Sequence, residues 1–341
     1  MMKQNLPAHY LSQNMNINLK YCNLNKKCLK IIRFSKNDEF INGDFLEKYL
    51  DIILKLKVVA TGAEFSSFEN IFYNIDYISY ISVGHGVSFL KHFLYENNSY
   101  YGNKKYNKIL IPPSEKLISI TKYYGWNEKD IIKINLPRWD KYNNYNNSKN
   151  RAIFIMFTWR ELAENQNLNN DYINGILDLI NNKKLIEELK NNNIKLYFTF
   201  HHQLSKYNSL SYINQFITII NENEISNIIT ISNLYVTDFS SILFDFIYRQ
   251  KPFIIYIPDS NYTKNKNIYT DNYSKLINDL KENKLPFENK YFNKEEVINK
   301  IIGYINNNFE LEPKLRNFYD SFAFQRKNSI NEFIRYLKNI T

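Results

Sequence analysis

The sequence predicts an α/β protein of two similar-sized units, each built on a mostly parallel sheet, with a helical C-terminal tail. Three observations predict this. Apolar runs of strand length alternate with segments whose apolar residues recur at helical spacing, the pattern of βα units rather than of hairpins. A polar stretch without apolar period, KYNNYNNSKN at 141–150, interrupts the alternation, which restarts behind it. The length of 341 residues, 44% of them hydrophobic, is too great for one ordinary domain and sufficient to fill two cores. The expected boundaries are 1–143 for the first unit, 150–315 for the second unit, and 316–341 for the tail.

The elements follow in order. CLKIIRF, KVVA and YISYISV have strand character, and DFLEKYLDIILKL spaces its apolar residues like a helix. KILIPP is a strand stopped by two prolines. SEKLISITKYYG is a helix with Ser114 as N-cap and Gly125 at its end. DIIKINLP is a further strand. Beyond the linker, RAIFIMFTW is a strand, DYINGILDLINNKKLIEELKNN is helical as one helix or two, and IKLYFTFHH is a strand. SYINQFITIINEN is expected as a helix, NIITI and NLYVTD as short strands, SSILFDFIYRQ as a helix and PFIIYIP as a strand. The last 47 or so residues read as helical with one break near Pro313. Two such units facing a cleft, with the tail crossing back, describe the GT-B arrangement.

Composition narrows the functional classes. The net charge is +10, which admits a nucleic acid, an anionic membrane surface or a phosphorylated substrate as partner. The basic residues are scattered among acids and asparagines, as in NKKYNK and YTKNKN, with no RNA-binding aromatic signature and no DNA-reading helix. Most of the charge therefore reads as a solvated lysine-rich surface, and nucleic acid is not an expected partner. Cys22 and Cys28 cannot make a four-ligand zinc site and form no CxxC, which suits a reduced cytoplasmic protein. The N-terminus has no apolar signal region, and no run approaches the roughly 20 apolar residues that span a bilayer. A soluble or peripheral protein is expected, with a short N-terminal part that adds no membrane-docking domain.

The candidate site residues sit where strands run into helices, the edge at which parallel sheets bind ligands. In TDFSSILFDF, a strand ends at Thr237–Asp238 and a helix is expected from Ser240 or Ser241. The free N–H groups of a helix start suit a phosphate, and the two hydroxyls add donors. Plain N-capping is the alternative. In ISVGHGVSFLKHF, His85 stands between Gly84 and Gly86 at a strand end, with Lys91 further on. Flanking glycines let the backbone approach a substrate, and a histidine there suits a general base near neutral pH. His201 and His202 end another strand. Neighbours on an extended chain point opposite ways, so a shared metal is not expected; one faces the site and the other packs. Arg138 in LPRWD and Arg160 in FTWRE end two more strands and suit phosphate through bidentate donors, or pair with Asp140 and Glu161. His9 and His92 have no such context.

The order of these motifs is itself informative. HG…K, PSE…GW…LPRWD, a strand ending in TWR, a strand ending in His, and TDFSSILFDF…KPFIIYIPD resemble the CDP-glycerol glycerophosphotransferase family, the teichoic-acid and capsule polymerases and primases of bacterial envelopes. The resemblance runs from about residue 80 to 262. TDFSS is its most specific part, similar to the family's TDYSS…FD with Phe239 in place of tyrosine. Where the family commonly has a proline after HG, this chain reads HGVSFLK, and its HP is here HHQ.

The resemblance implies a GT-B fold and transfer of a polyol phosphate, glycerol phosphate first, from a CDP-activated donor to a hydroxyl of an envelope glycan or polymer, with release of CMP. It implies His85 as the base and His201 beside the donor phosphates, with Arg160, Thr237, Ser240 and Ser241 around the diphosphate. Arg138 and Asp238 are grouped with these. Gly84, Gly86, Lys91, His202 and Asp245 are supporting residues. No DxD motif is present, so no metal site and no obligatory cofactor are expected, with Mg²⁺ as a stimulant at most. The implied partners are the CDP-polyol, a lipid-linked glycan or polyol-phosphate polymer as acceptor, and an anionic membrane surface at the cytoplasmic face of a bacterial cell. A GT-B glycosyltransferase using a nucleotide sugar and a non-catalytic nucleotide- or glycan-binding relative remain as alternatives.

Overall fold

The computed structural model describes residues 58–61, 79–83, 87, 107–123, 125–143, 151–158, 171–201, 204–205, 207, 215–259, 277–283, 289–326 and 328–340. The chain divides into two compact units. One comprises Met1–Gly86, Asn98–Asn144 and Phe324–Thr341; the other comprises Val87–Asn97 and Tyr145–Ala323.

The first unit carries a sheet of four parallel strands in sequential order: β1 (Val58–Thr61), β2 (Ser79–Ser82), β3 (Lys108–Ile111) and β4 (Ile131–Lys133). Pro112 and Pro113 follow β3, and α1 (Glu115–Tyr123) comes next. Its end is a Schellman motif. Gly125 adopts φ +91°, its N–H donates to Lys122 O (2.9 Å), and the Trp126 N–H reaches Thr121 O (3.4 Å). The start differs from expectation: Ser114 O accepts from the Ile118 N–H, but the Ser114 hydroxyl is buried and caps nothing.

The C-terminal segment returns to this unit, as the sequence suggested. After β4, the stretch Asn135–Tyr142 receives it. Asn135 Nδ2 donates to Gln325 O (2.6 Å). Trp139, fully buried, meets Phe324 edge-on at 5.0 Å. The Asp140 carboxylate accepts from the N–H groups of Ser329 (2.7 Å) and Ile330 (2.8 Å), at the start of a helix over Ser329–Ile340. Asp140, considered above as a partner of Arg138, thus spends both oxygens on that helix start.

The second unit carries six parallel strands: β5 (Ala152–Met156), β6 (Lys195–Thr199), β7 (Ile217–Ile219), β8 (Leu234–Thr237), β9 (Phe253–Tyr256) and β10 (Lys290–Tyr291), in the spatial order β10-β9-β8-β5-β6-β7. The chain winds outward from β5 through β6 and β7, then returns to place β8 on the other side of β5. This is the 3-2-1-4-5-6 order of doubly wound sheets, with its switch point between β5 and β8. Every residue of β5, β8 and β9 is buried, because helices cover a parallel sheet on both faces. The run DYINGILDLINNKKLIEELKNN forms two helices, α2 (Asp171–Ile180) and α3 (Lys183–Asn191). Later come α4 (Glu222–Ile231), α5 (Leu243–Tyr248), α6 (Lys294–Asn306) and α7 (Pro313–Asp320), and α8 is the returning helix Ser329–Ile340. Helix α6 packs on β9 and against α2 and α3, while α4 packs on β5 and α5 on β8.

Two expectations are corrected. Residues 217–219, assigned above to a helix, form β7, and NIITI, assigned to a strand, lies inside α4. The helix start decides it: Glu224 reaches back to accept from the Asn221 N–H (2.8 Å), and Ile225, Ile228 and Ile229 then fall on one buried face. The expected break near Pro313 is present, and a second follows Asp320. Among the described residues no helix is long and apolar enough to cross a membrane.

Candidate active site

The switch point gathers the polar residues that the sequence singled out in TDFSS. Strands β5 and β8 lie side by side, with Ile155 opposite Val236. They end in Phe157–Thr158 and in Thr237–Ser241, and β6, on the other flank of β5, ends in Phe200–His201. The residues behind this edge form a dry aromatic floor. Phe154 stacks on Tyr235 (5.3 Å) and Tyr235 on Phe246 (4.7 Å), while the Tyr235 hydroxyl donates to Met156 O (3.3 Å). Phe239, two residues past β8, is itself buried.

Thr237 closes β8. Its side chain is fully buried and, among the described residues, Oγ1 has no hydrogen-bond partner. Asp238, also 0% exposed, accepts from two groups of one residue: the Thr158 N–H at Oδ1 (2.9 Å) and the Thr158 hydroxyl at Oδ2 (2.7 Å). The Tyr172 hydroxyl, in the first turn of α2, donates to Thr158 O. Neither Thr158 nor Tyr172 was singled out from the sequence. A threonine just past a buried strand carries no local signal of a partner 80 residues away.

The TDFSS turn is tighter than expected. Residues 241–242 form a turn and α5 starts at Leu243, running only six residues. Ser240 Oγ accepts from the Ile242 N–H (3.3 Å) and Ser240 O from the Leu243 N–H (3.1 Å). These two N–H groups are therefore used inside the turn. Ser240 is buried and Ser241 half-buried. Asp245 is fully buried in the first turn of α5. Arg249, also missed from the sequence, is buried at the end of α5. Its guanidinium donates to the carbonyls of Ile229, Thr230 (2.7 Å) and Ser232 (2.9 Å), so it closes the C-terminus of α4.

His201 lies at the end of β6, half-buried, and its carbonyl accepts from the Leu204 N–H (2.7 Å). On β9, burial, reinforced by Asp178 and Asp259, pushes the Tyr256 hydroxyl up to about 12, so it stays neutral beside Phe157. Arg138 belongs to the first unit, half-buried in the turn Pro137–Tyr142. Gly84, His85, Gly86, Lys91, Arg160 and His202 lie outside the described residues. Among the described residues no three histidines, cysteines or carboxylates gather as a metal site.

A doubly wound sheet with buried hydroxyls at its switch point, and a histidine past the neighbouring strand β6, can hold a nucleotide phosphate at that edge. The profile of the family described as CDP-glycerol:poly(glycerophosphate) glycerophosphotransferase matches residues 16–337. The chain is 28% identical over 297 residues to the minor teichoic acid biosynthesis protein GgaB of Bacillus subtilis (strain 168), covering 81% of this chain and 31% of that protein. It is 27% identical over 191 residues to the teichoic acid poly(glycerol phosphate) polymerase of Bacillus spizizenii, covering 53% of this chain and 42% of that protein. The chain thus spans less than half the length of either curated relative. In fold it is similar to the wall teichoic acid polymerase TagF, with TM-score 0.59 at 18% identity over 86% of this chain and 75% of that one. It is also similar to the UDP-GlcNAc 2-epimerase of Methanocaldococcus jannaschii, with TM-score 0.52 at 14% identity over 87% of this chain and 80% of that one. The α/β architecture is GT-B-like, as the sequence predicted.

Proposed function

This chain belongs to the CDP-glycerol:poly(glycerophosphate) glycerophosphotransferase family, and from that premise we propose that it transfers glycerol phosphate from CDP-glycerol to a hydroxyl of a cell-envelope polymer or lipid-linked glycan and releases CMP. One observation carries the reading beyond membership: Thr237, at the switch point of the second sheet, keeps a buried hydroxyl without a partner. A buried hydroxyl is costly unless something bonds it, and at this edge of a doubly wound sheet the fitting partner is a nucleotide phosphate.

In this mechanism the donor diphosphate lies beyond β8, bonded by Thr237 and the serines of the turn. His201 from β6 and Arg160 after β5 offset its charge. His85 takes the proton from the acceptor hydroxyl. That oxygen attacks the phosphorus bearing the glycerol, the bond from this phosphorus to the bridging oxygen breaks, and CMP leaves with the electron pair. Such a transfer depends on positioning and on electrostatic stabilisation of the phosphoryl charge. Arginine, histidine and hydroxyl donors supply both, so the reaction is expected to survive chelation of divalent metal. The enzyme works at the cytoplasmic face of the membrane, where the acceptor is presented, and its net charge of +10 favours an anionic surface.

The test is CMP release from CDP-glycerol, CDP-ribitol and nucleotide sugars, each with a polyol-phosphate or lipid-linked acceptor, with His85→Ala in parallel. CDP-glycerol is expected to give CMP, and loss of the base lowers turnover by about 10²–10⁴-fold. Release from a nucleotide sugar alone would overturn the proposal, and near-normal turnover of His85→Ala would remove that residue from its role.

A further inference from the structure

Asp238 sits next to Thr237, fully buried, at the mouth where the donor diphosphate is placed. An unshielded carboxylate there would repel a diphosphate and bear the cost of its own desolvation. The structure shows how it is shielded. Oδ1 and Oδ2 accept from the N–H and the hydroxyl of one residue, Thr158, at 2.9 and 2.7 Å. That pair spans the switch point, because Thr158 follows β5 and Asp238 follows β8. Thr158 is held in turn by the Tyr172 hydroxyl on its carbonyl, which brings α2 into the same chain of bonds.

We propose that Asp238 is a positioning residue: with Thr158 it forms a latch that ties the ends of β5 and β8 together and fixes where Thr237 and Ser240 stand for the donor. The inference rests on the donor-binding reading of this edge and deepens it. A carboxylate with both oxygens bonded to Thr158 acts on the donor through the spacing of the two strand ends. Its charge, balanced by a charge-assisted pair of donors, no longer opposes an anion alongside. Thr158 is accordingly a second positioning residue, although its hydroxyl faces the protein and not the ligand.

The experiment measures CDP affinity by calorimetry for the wild type, Thr158→Val, Asp238→Ala, the double variant and Thr158→Ser. Removing one side of a hydrogen bond to a charged group weakens CDP about tenfold or more. The latch predicts that both single variants lose affinity, Asp238→Ala the more because Thr158→Val keeps the amide bond to Oδ1, that the double variant loses no more than Asp238→Ala, and that Thr158→Ser, which keeps the hydroxyl, restores binding. A merely structural pair would lower the melting temperature and leave the affinity of the folded protein unchanged. Wild-type affinity in Thr158→Val, or losses that add in the double variant, would overturn the latch, the second by making Asp238 a donor contact in its own right. If Asp238→Ala does not fold, the Thr158→Val and Thr158→Ser pair decides alone. Hydrogen exchange at the Thr158 amide gives a readout without CDP: it is protected in the wild type and exposed in Asp238→Ala. Equal exchange in the two overturns the latch even if CDP proves not to bind, whereas failure of the wild type to bind CDP counts against the proposed function alone.

Discussion

Thr237→Val separates the stability of the ligand-free protein from the proposed function. Thr237 Oγ1 is buried without a partner in a residue that is 0% exposed. A buried unsatisfied hydroxyl costs about 1–3 kcal/mol. Valine fills nearly the same volume with a methyl group and removes that cost, so the ligand-free variant is expected to be more stable by about 1–2 kcal/mol. For a domain of this size that raises the melting temperature by about 2–8 °C. With CDP the order reverses. The wild type gains stability as RT ln(1 + [L]/Kd), and the variant, lacking a bond to a charged phosphate worth about 1.5–3 kcal/mol, binds roughly 10- to 100-fold more weakly. Thermal unfolding followed by circular dichroism, with and without saturating CDP, reads both effects. A lower melting temperature in the empty variant would show that the hydroxyl is bonded in solution, and an unchanged CDP affinity would show that the donor does not use it. The two together would refute the reasoning.

Three further outcomes are expected. Asp140→Ala removes the acceptor for the Ser329 and Ile330 N–H groups, which destabilises the start of α8 by about 1–2 kcal/mol and speeds proteolysis within 324–341; unchanged cleavage would show that Trp139 and Phe324 hold the segment without it. Gly175→Ala places a Cβ 2.6 Å from Pro258 Cβ, and overpacking of about 1–3 kcal/mol outweighs the helix-propensity gain of about 1 kcal/mol, so urea unfolding should show a loss of stability, and a gain would contradict the contact. Glu128, held by Lys133 and Lys122, has its carboxyl lowered from 4.5 to about 2. A folded-state value below the unfolded one stabilises above the unfolded value and fades as pH falls through the folded one. Glu128→Gln is therefore expected to be less stable than the wild type at pH 7 and to converge with it only as pH falls below about 2, with the gap narrowing in high salt; a gap independent of pH would rule out the ion pairs as its source.

The second unit was legible wherever a strand was buried on both faces, because continuous apolar runs such as AIFIM and FIIY have no other stable place. The error at 217–231 arose where that rule gives no answer. FITII and NIITI each carry four β-branched residues, and the deciding feature was Asn221 with Glu224 three residues on, a capping pair that local apolar counting passes over. Strand β10 is two residues long and exists only by pairing with β9. The placement of TDFSS at a sheet edge was readable from a strand giving way to small polar residues. Three roles were not: Asp238 bonded to Thr158, Asp140 to the start of α8, and Arg249 to the end of α4. Each joins residues between 17 and 190 positions apart, and such partners are set by sheet order and chain return, which one sequence does not spell out.

On the proposed function, the size of α5 bears on how this edge would hold an anion. With six residues, and with the Ile242 and Leu243 N–H groups bonded back to Ser240, the turn has little helix dipole to offer. The work of a long helix start must come from elsewhere, and the sheet supplies it. Thr237 stands on a strand hydrogen-bonded on both sides, β5 and β9, above the Phe154–Tyr235–Phe246 stack, so its hydroxyl is held with little freedom to turn away. A donor fixed in a dry site costs no reorganisation when charge arrives, which is the condition under which a single hydroxyl contributes most. The sequence TDFSS serves this arrangement position by position. The threonine carries the hydroxyl assigned to the donor in the proposed function, the aspartate is bonded to the next strand end, the phenylalanine is buried, and Ser240 closes the turn through Ile242.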